Sequence, residues 1–105
     1  MKLRFDARAV RDLRDIRSYI AAQGAPAAAE RVRRHLRASI NRLSKTPMMG
    51  TISSIPEVRI LPPTRYPYRI YYTIRDTEIV ILHIRHTARR APDDLSSVAE
   101  PVLSK

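Results

Sequence analysis

The spacing of the apolar residues changes once along this chain, near Thr51, and that change limits the folds available to it. Before Thr51, apolar side chains recur every three or four positions, which is the period of a helix with one buried face. After it they recur at every second position, which is the period of a strand. The sequence therefore predicts helices followed by strands, an α+β arrangement with the helices packed on one face of a sheet.

Two amphipathic helices are predicted between residues 6 and 50. Asp6 is suited to cap the first helix, Arg8–Ala22, while Gly24 and Pro26 suit its end and the start of the second. The second helix ends before the segment Pro47–Gly50. The apolar stripe of the first helix is Val10, Leu13, Ile16 and Ile20, and that of the second is Ala29, Val32, Leu36, Ile40 and Leu43. Together the two helices predict a helical hairpin.

Four strands are predicted: one before the hairpin and three after it. They are Lys2–Phe5, Glu57–Leu61, Tyr68–Ile74 and Glu78–His86. The order is βααβββ, with the sheet mainly antiparallel.

A two-residue turn at Asp76-Thr77 would join the last two strands and place Arg75 opposite Glu78, a favourable cross-strand pair. Continued along the strands, this register pairs Ile74 with Ile79, Tyr72 with Ile81, and Arg69 with Ile84.

The charge of the chain indicates what it binds. Twenty Lys and Arg residues against ten Asp and Glu give a net charge of +10, and 17 of the cations are arginine. Such a field attracts nucleic acid or an acidic protein, and arginine binds phosphate and carboxylate through two parallel hydrogen bonds. A solvated surface is the alternative for any single arginine.

Several classes of site are disfavoured. The chain has no cysteine, which excludes disulfides, thiolate metal sites and a cysteine nucleophile. His, Asp and Glu do not recur at metal-ligand spacing and no glycine-rich phosphate loop is present, so no metal or other cofactor is expected. The longest apolar run, Ile79–Leu82, is too short to span a membrane, and Met1–Arg14 lacks the apolar region of a signal peptide. We expect a cytoplasmic protein.

The length fits one domain, residues 1–99, followed by a loose tail over residues 100–105. A short helix is predicted for Asp93–Ala99.

Three segments of this chain resemble ParE/RelE toxins, a family that includes plasmid stabilisation proteins of the ParE type. They are DLRDIRSYIAAQGAPAAAERVRRHLRASINRL, the P-x-x-G sequence at Pro47–Gly50, and YPYRIYYTIRDTEIVILHIRHTARR. The resemblance extends from about Asp6 to Arg90 and depends on the order and spacing of the set. It implies a βααβββ fold, an acidic ParD- or RelB-like antitoxin that folds on binding, and growth inhibition when the toxin is unopposed.

Members of this family inhibit growth by one of two mechanisms. RelE-like members cleave messenger RNA on the ribosome, whereas ParE-like members inhibit DNA gyrase. Cleavage requires a base, an acid and cations at the transition state. The predicted register places Arg69, Tyr71 and His86 on one sheet face, and it adds Arg65 to that face if the strand that begins at Tyr68 extends back through Arg65. Arg69 matches a catalytic arginine of RelE-like members, and His86 could transfer a proton.

The other catalysts of RelE-like enzymes have no counterpart here. Glu57 is the only acid near the second strand, and after Arg90 there is no His, Tyr or Lys before Lys105. Gyrase inhibition is therefore the leading hypothesis, with RNA cleavage by Arg69 and His86 as the alternative.

Other candidates have structural explanations as well as functional ones. His83 is predicted to be packed and His35 to lie on the surface, and the tyrosines of the strands fill a core boundary more often than they stack bases. Arg85, Arg89 and Arg90 are predicted to contact the target or the antitoxin. The helical hairpin and a sheet edge are expected to form the antitoxin groove.

Overall fold

The computed structural model describes residues 1–87 and shows two helices packed on a mixed sheet. The elements are β1 (Lys2–Phe5), α1 (Ala7–Ala22), α2 (Pro26–Leu43), a 3₁₀ turn (Pro47–Met49), β2 (Thr51–Ile52), β3 (Arg59–Leu61), β4 (Tyr68–Arg75) and β5 (Glu78–His86). The predicted helix at Asp93–Ala99, the predicted tail and the boundary at residue 99 lie outside the described residues. The α+β class and the order of the predicted elements are confirmed.

Within the described residues the sheet has five strands where four were predicted. Their order is β1-β5-β4-β3-β2. β1 runs parallel to β5, and the other neighbours are antiparallel. The additional strand, β2, pairs Thr51 with Ile60 and Ile52 with Arg59. Two residues are too few to show a period of two, so the sequence pattern gave no sign of this strand.

The helix ends follow the predicted signals. The Asp6 carboxylate accepts a hydrogen bond from the backbone N–H of Arg8 at 3.1 Å. Gly24 takes the left-handed conformation, with φ of 83°, that glycine adopts without steric cost. Pro26 begins α2.

The predicted stripe of α2 is confirmed, because all five of its apolar residues are buried. On α1, Leu13, Ile16 and Ile20 pack on the core as predicted, but Val10 is 43% exposed. Ala9 is fully buried in its place. Ala9 precedes Leu13 by four residues, so it shares that face of the helix, and Val10 is turned about 100° away from Ala9.

The β4–β5 hairpin begins in the predicted register and then departs from it. Arg75 pairs with Glu78 and Tyr72 with Ile81, as predicted. A bulge follows, because Tyr71 pairs with His83 and leaves Leu82 as an extra residue. Beyond the bulge Arg69 pairs with Arg85, so the predicted pairing of Arg69 with Ile84 was wrong.

Each face of the sheet has its own apolar cluster. The larger cluster lies between the sheet and the helices. The smaller one lies on the opposite face and contains Val58, Tyr71, Val80 and Leu82. Residues 53–58 cover part of this second face, since Val58 belongs to the cluster and Ile55 packs against it.

The segment predicted as a strand from Glu57 begins as a turn instead. Ser53 organises the turn: its hydroxyl donates to the Val58 carbonyl at 2.6 Å and accepts from the Ile55 N–H at 3.1 Å. Glu57 has a φ of 65°, which is incompatible with a strand, and β3 therefore begins at Arg59. Neither helix within residues 1–87 has the length and apolar character needed to cross a membrane.

Candidate functional site

Arg69 and Arg85 lie side by side on the sheet face that the helices leave uncovered. They are directly paired across β4 and β5. Paired residues share a face, with Cβ atoms about 4.5–5.5 Å apart. Like charges directly opposite one another repel, and an anion bound by both side chains offsets this repulsion. Two arginines paired in this way are suited to bind a phosphate or a carboxylate.

His86 lies on the other face of the sheet. It pairs with Tyr68, one position along from the Arg69–Arg85 pair, and side chains alternate between faces along a strand. The two rings meet edge to face, with centroids 5.3 Å apart. The predicted grouping of Arg69 with His86 on one face was therefore wrong, because the extra residue Leu82 shifts the register by one.

The face that carries His86 forms a cleft of about 260 Å³ against α1. Its lining residues are Asp12, Asp15, Ile16, Tyr19, Tyr68, Ile84 and His86. The cleft therefore carries two carboxylates and two tyrosines, whereas the arginine pair on the opposite face of the sheet is cationic.

Two further predicted binding residues also lie apart from the arginine pair. Arg65 precedes β4, where its guanidinium carbon is 6.0 Å from the centroid of the Tyr66 ring, so the predicted extension of the strand through Arg65 was wrong. Tyr71 shares the face of Arg69 but is only 1% exposed, so its ring packs in the core instead of facing a target. Arg89 and Arg90 lie outside the described residues.

Asp12 makes a polar contact that the sequence analysis missed. Its Oδ2 lies 2.5 Å from Nδ1 of His83 and accepts the backbone N–H of Ile84 at 2.9 Å. His83 is only 4% exposed, which confirms the prediction that it is packed. Asp12 lies four residues after Arg8, a spacing that favours an ion pair on the helix surface and not a contact with the sheet. Its position three residues after the buried Ala9, on the apolar side of α1, was the available signal.

Tyr72 explains the P-x-x-G sequence. Its hydroxyl donates to the Pro47 carbonyl at 2.7 Å and accepts the Gly50 N–H at 2.9 Å. Burial raises the pKa of this hydroxyl. A Cβ atom on Gly50 would lie 2.5 Å from the hydroxyl oxygen, so the close approach of Tyr72 requires glycine there.

His35, predicted to lie on the surface, is half-buried between α2 and the loop before β4. Its Nε2 is 2.9 Å from the hydroxyl oxygen of Thr64, and its ring meets Tyr66 edge to face. These contacts connect α2 to the β3–β4 loop.

Residues 3–91 match the family described as the ParE toxin of the type II toxin–antitoxin system parDE. The chain belongs to this family. The toxin is also 36% identical to Toxin RelE2 of Caulobacter vibrioides over 84 residues, which cover 78% of this chain and 90% of the relative.

Solved structures share the fold. The toxin resembles a chain of the chromosomal ParDE system from P. aeruginosa with a TM-score of 0.75 and 25% identity, covering 82% of this chain and 95% of that one. It also resembles the free E. coli toxin RelE, solved as a double arginine-to-alanine mutant, with a TM-score of 0.66 and 17% identity. That match covers 97% of this chain and 96% of the other. In the intact E. coli RelBE complex the TM-score is 0.62 at 19% identity, with coverage of 85% and 98%.

Proposed function

We propose that this toxin arrests growth by binding DNA gyrase through the face that carries Arg69 and Arg85, without cutting nucleic acid. The observation that supports this most is the strand register. It pairs Arg69 with Arg85 and turns His86 to the opposite face, which separates the two residues that RNA cleavage by this chain would need to combine.

Two other described groups suited to proton transfer, His83 and Glu57, do not replace His86. His83 is buried and held by Asp12, so it is not presented to a bound RNA. Glu57 lies beside Thr73, because the Glu57 carbonyl accepts a hydrogen bond from the Thr73 hydroxyl at 2.6 Å. Thr73 is four residues along β4 from Arg69, which is about 13 Å. Within residues 1–87 the arginine pair therefore resembles a binding site for an anionic group more than an acid–base centre.

We also propose that an acidic antitoxin neutralises the toxin. The net charge of +10 favours an acidic partner. A disordered acidic segment can fold onto such a surface and bury apolar anchors between carboxylate–arginine contacts. The similarity to chains solved in ParDE and RelBE toxin–antitoxin systems supports the same partner class.

Tightly controlled expression in cells tests the target. The wild-type toxin should lower the supercoiling of plasmid DNA by inhibiting gyrase. It should also induce the DNA-damage response while transcripts stay intact. Arg69→Ala should lower toxicity by about 10-fold or more, the scale of losing one charge-assisted contact. His86→Ala should remain fully toxic, and Arg14→Ala, an exposed arginine on α1, is the matched control.

The second candidate function is ribosome-dependent cleavage of messenger RNA. The same arginine pair favours it, because two cationic side chains on neighbouring strands would also stabilise the charge of a phosphoryl transition state. Specific transcript cuts that disappear in both Arg69→Ala and His86→Ala would establish this activity and overturn the gyrase proposal.

A further inference from the structure

The Pro47–Gly50 turn separates two hollows on the surface of the toxin. The first, here named the α2 hollow, has a volume of about 130 Å³, and Met49, Leu36, Leu61, Tyr66, Ile70 and Arg42 are among its lining residues. The second, the edge hollow, has a volume of about 310 Å³ and is lined by Met48, Ile52, Glu57, Val58, Arg59 and Ile74. Consecutive methionines of one turn thus line different hollows.

Exposed apolar side chains are concentrated on the Pro47–Gly50 turn and on β2, the strand that follows it. Six large hydrophobic residues are exposed within residues 1–87, and Met48, Met49 and Ile52 are three of them. Met48 is 63% exposed and Ile52 is 79% exposed. Ile52 also belongs to β2, which is the last strand of the sheet and, among residues 1–87, has a neighbour on one side only. An apolar side chain on an unpaired edge favours association with another chain.

The backbone that carries these side chains is held in place. The Tyr72 hydroxyl bonds to Pro47 and Gly50, and the Arg59 guanidinium donates to the Gly50 carbonyl at 2.8 Å. A fixed turn loses little conformational entropy when a partner binds, while methionine side chains adapt to the shape of the partner. This combination is typical of a docking surface.

The charge around the hollows selects the occupant. Arg42 lines the α2 hollow and Arg59 lines the edge hollow, and Glu57 is the one carboxylate among the lining residues that the structure describes. A second copy of this chain, which also carries a net charge of +10, would be repelled. An acidic partner with apolar anchors suits both the hollows and their cations.

We propose that Met48, Met49, Ile52 and the two hollows bind an acidic amphipathic segment of the antitoxin. Apolar side chains of that segment enter the hollows, and its carboxylates meet Arg42 and Arg59. This inference rests on the proposed neutralisation by an acidic antitoxin, and it identifies where on the toxin that partner is recognised.

The test uses the full-length toxin and the product of the adjacent open reading frame as the probe, with Kd measured by calorimetry. Met48→Glu and Ile52→Glu should each weaken binding by about 10-fold or more, as expected when an anchor is lost and a like charge is added. Val10→Glu is the matched control, since Val10 is also exposed but lies on α1, away from both hollows. Its Kd should stay within about 2-fold of wild type.

Arg42→Glu provides a variant that leaves the apolar residues intact. Arg42 is exposed and its guanidinium makes one long contact, 3.4 Å, with the Ser39 hydroxyl, so the fold should tolerate the change. We expect its Kd to rise by about 5-fold or more. Thermal unfolding of each variant identifies any that lose stability, and only folded variants are compared.

The possible outcomes are distinct. If the wild-type toxin does not bind the probe, the proposed neutralisation by that partner fails. If it binds and the folded variants bind equally well, the docking surface is wrong. Loss of toxicity with unchanged antitoxin binding would assign the surface to the target instead. A toxin dimer that Ile52→Glu dissociates would assign it to a second copy. Either result overturns the proposal.

Discussion

At the scale of single residues, the Tyr72 hydroxyl connects the sheet to the turn that follows α2. Tyr72 belongs to the helix-side core, yet its oxygen bonds to both ends of the Pro47–Gly50 turn. A buried polar group of this kind contributes little while it is satisfied, but its removal leaves two backbone groups without partners.

Tyr72→Phe should therefore lower the free energy of unfolding by about 1–3 kcal/mol, because the Gly50 N–H and the Pro47 carbonyl lose their partner. Denaturant unfolding measures the change. Tyr19→Phe, at an exposed position on α1, should stay within about 0.5 kcal/mol of wild type. Equal effects of the two substitutions would show that the hydroxyl of Tyr72 is not structurally important.

The same substitution should change the dependence of stability on pH. Burial raises the pKa of Tyr72 above its ordinary value of 10.0, so the folded state retains the proton more strongly than the unfolded state. The stability that this proton contributes is complete below pH 10 and is lost as the pH rises through the folded-state pKa. The difference in stability between wild type and Tyr72→Phe should shrink above pH 10. A constant difference would contradict the raised pKa.

Gly50→Ala should be destabilising by about 1–3 kcal/mol, because the new methyl group would overlap the Tyr72 hydroxyl and the Ile60 carbonyl. Gly24→Ala is the comparison. Nothing lies within 4 Å of the added atom there, and only the positive φ of 83° resists it, at a cost of about 1 kcal/mol. Thermal unfolding should give the larger decrease for Gly50→Ala, and the opposite order would contradict the packing described for the turn.

At the scale of elements, Asp12 extends the edge contacts of β5 beyond the end of β1. The backbone hydrogen bonds between the β1 segment and β5 end where the Asp6 N–H donates to the Ile81 carbonyl at 2.9 Å. Further along β5, the Ile84 N–H donates to the Asp12 carboxylate on α1. One carboxylate therefore connects α1 to β5 and also holds His83.

Asp12→Ala should destabilise the toxin by about 2–3 kcal/mol, since a charge-assisted hydrogen bond is removed and a buried N–H is left without a partner. Asp15→Ala, three residues further along α1 and exposed, is the control and should have little effect. Amide exchange at Ile84 should accelerate in Asp12→Ala alone. Unchanged exchange there would show that Asp12 does not protect this edge.

The elements were predictable where their signals are local. The cap at Asp6, the turn at Asp76-Thr77 and the stripe of α2 were correct because each depends on neighbouring residues. The bulge at Leu82 was not predictable, because it lies in the apolar run Ile79–Leu82. Every position of this run is apolar, so an extra residue does not interrupt an alternating pattern.

The predicted grouping of the candidate site residues was wrong for the same reason. Arg69 and Arg85 were both named from the sequence, but the unbroken register paired Arg69 with Ile84 and grouped it with His86. A shift of one residue exchanges the two faces of a strand. Sequence reasoning therefore identified the arginines but wrongly placed His86 on their face, and it missed that Asp12 reaches the sheet.

At the scale of the whole molecule, the net charge of +10 should govern how fast the toxin finds its antitoxin. Raising the salt concentration from about 0.05 M to 0.5 M should slow association by about 10-fold or more, since the Debye length shortens, while dissociation changes less. Stopped-flow mixing measures both rates. An association rate that is insensitive to salt would show that charge does not steer the encounter.

The central claim is that this toxin acts on gyrase by binding. It is tested most directly by adding purified wild-type toxin to purified DNA gyrase and relaxed plasmid, with purified ribosomes and messenger RNA as the parallel reaction. We predict that supercoiling is inhibited, that His86→Ala inhibits equally and Arg69→Ala less, and that the RNA stays intact. Normal supercoiling together with cut RNA would contradict the claim.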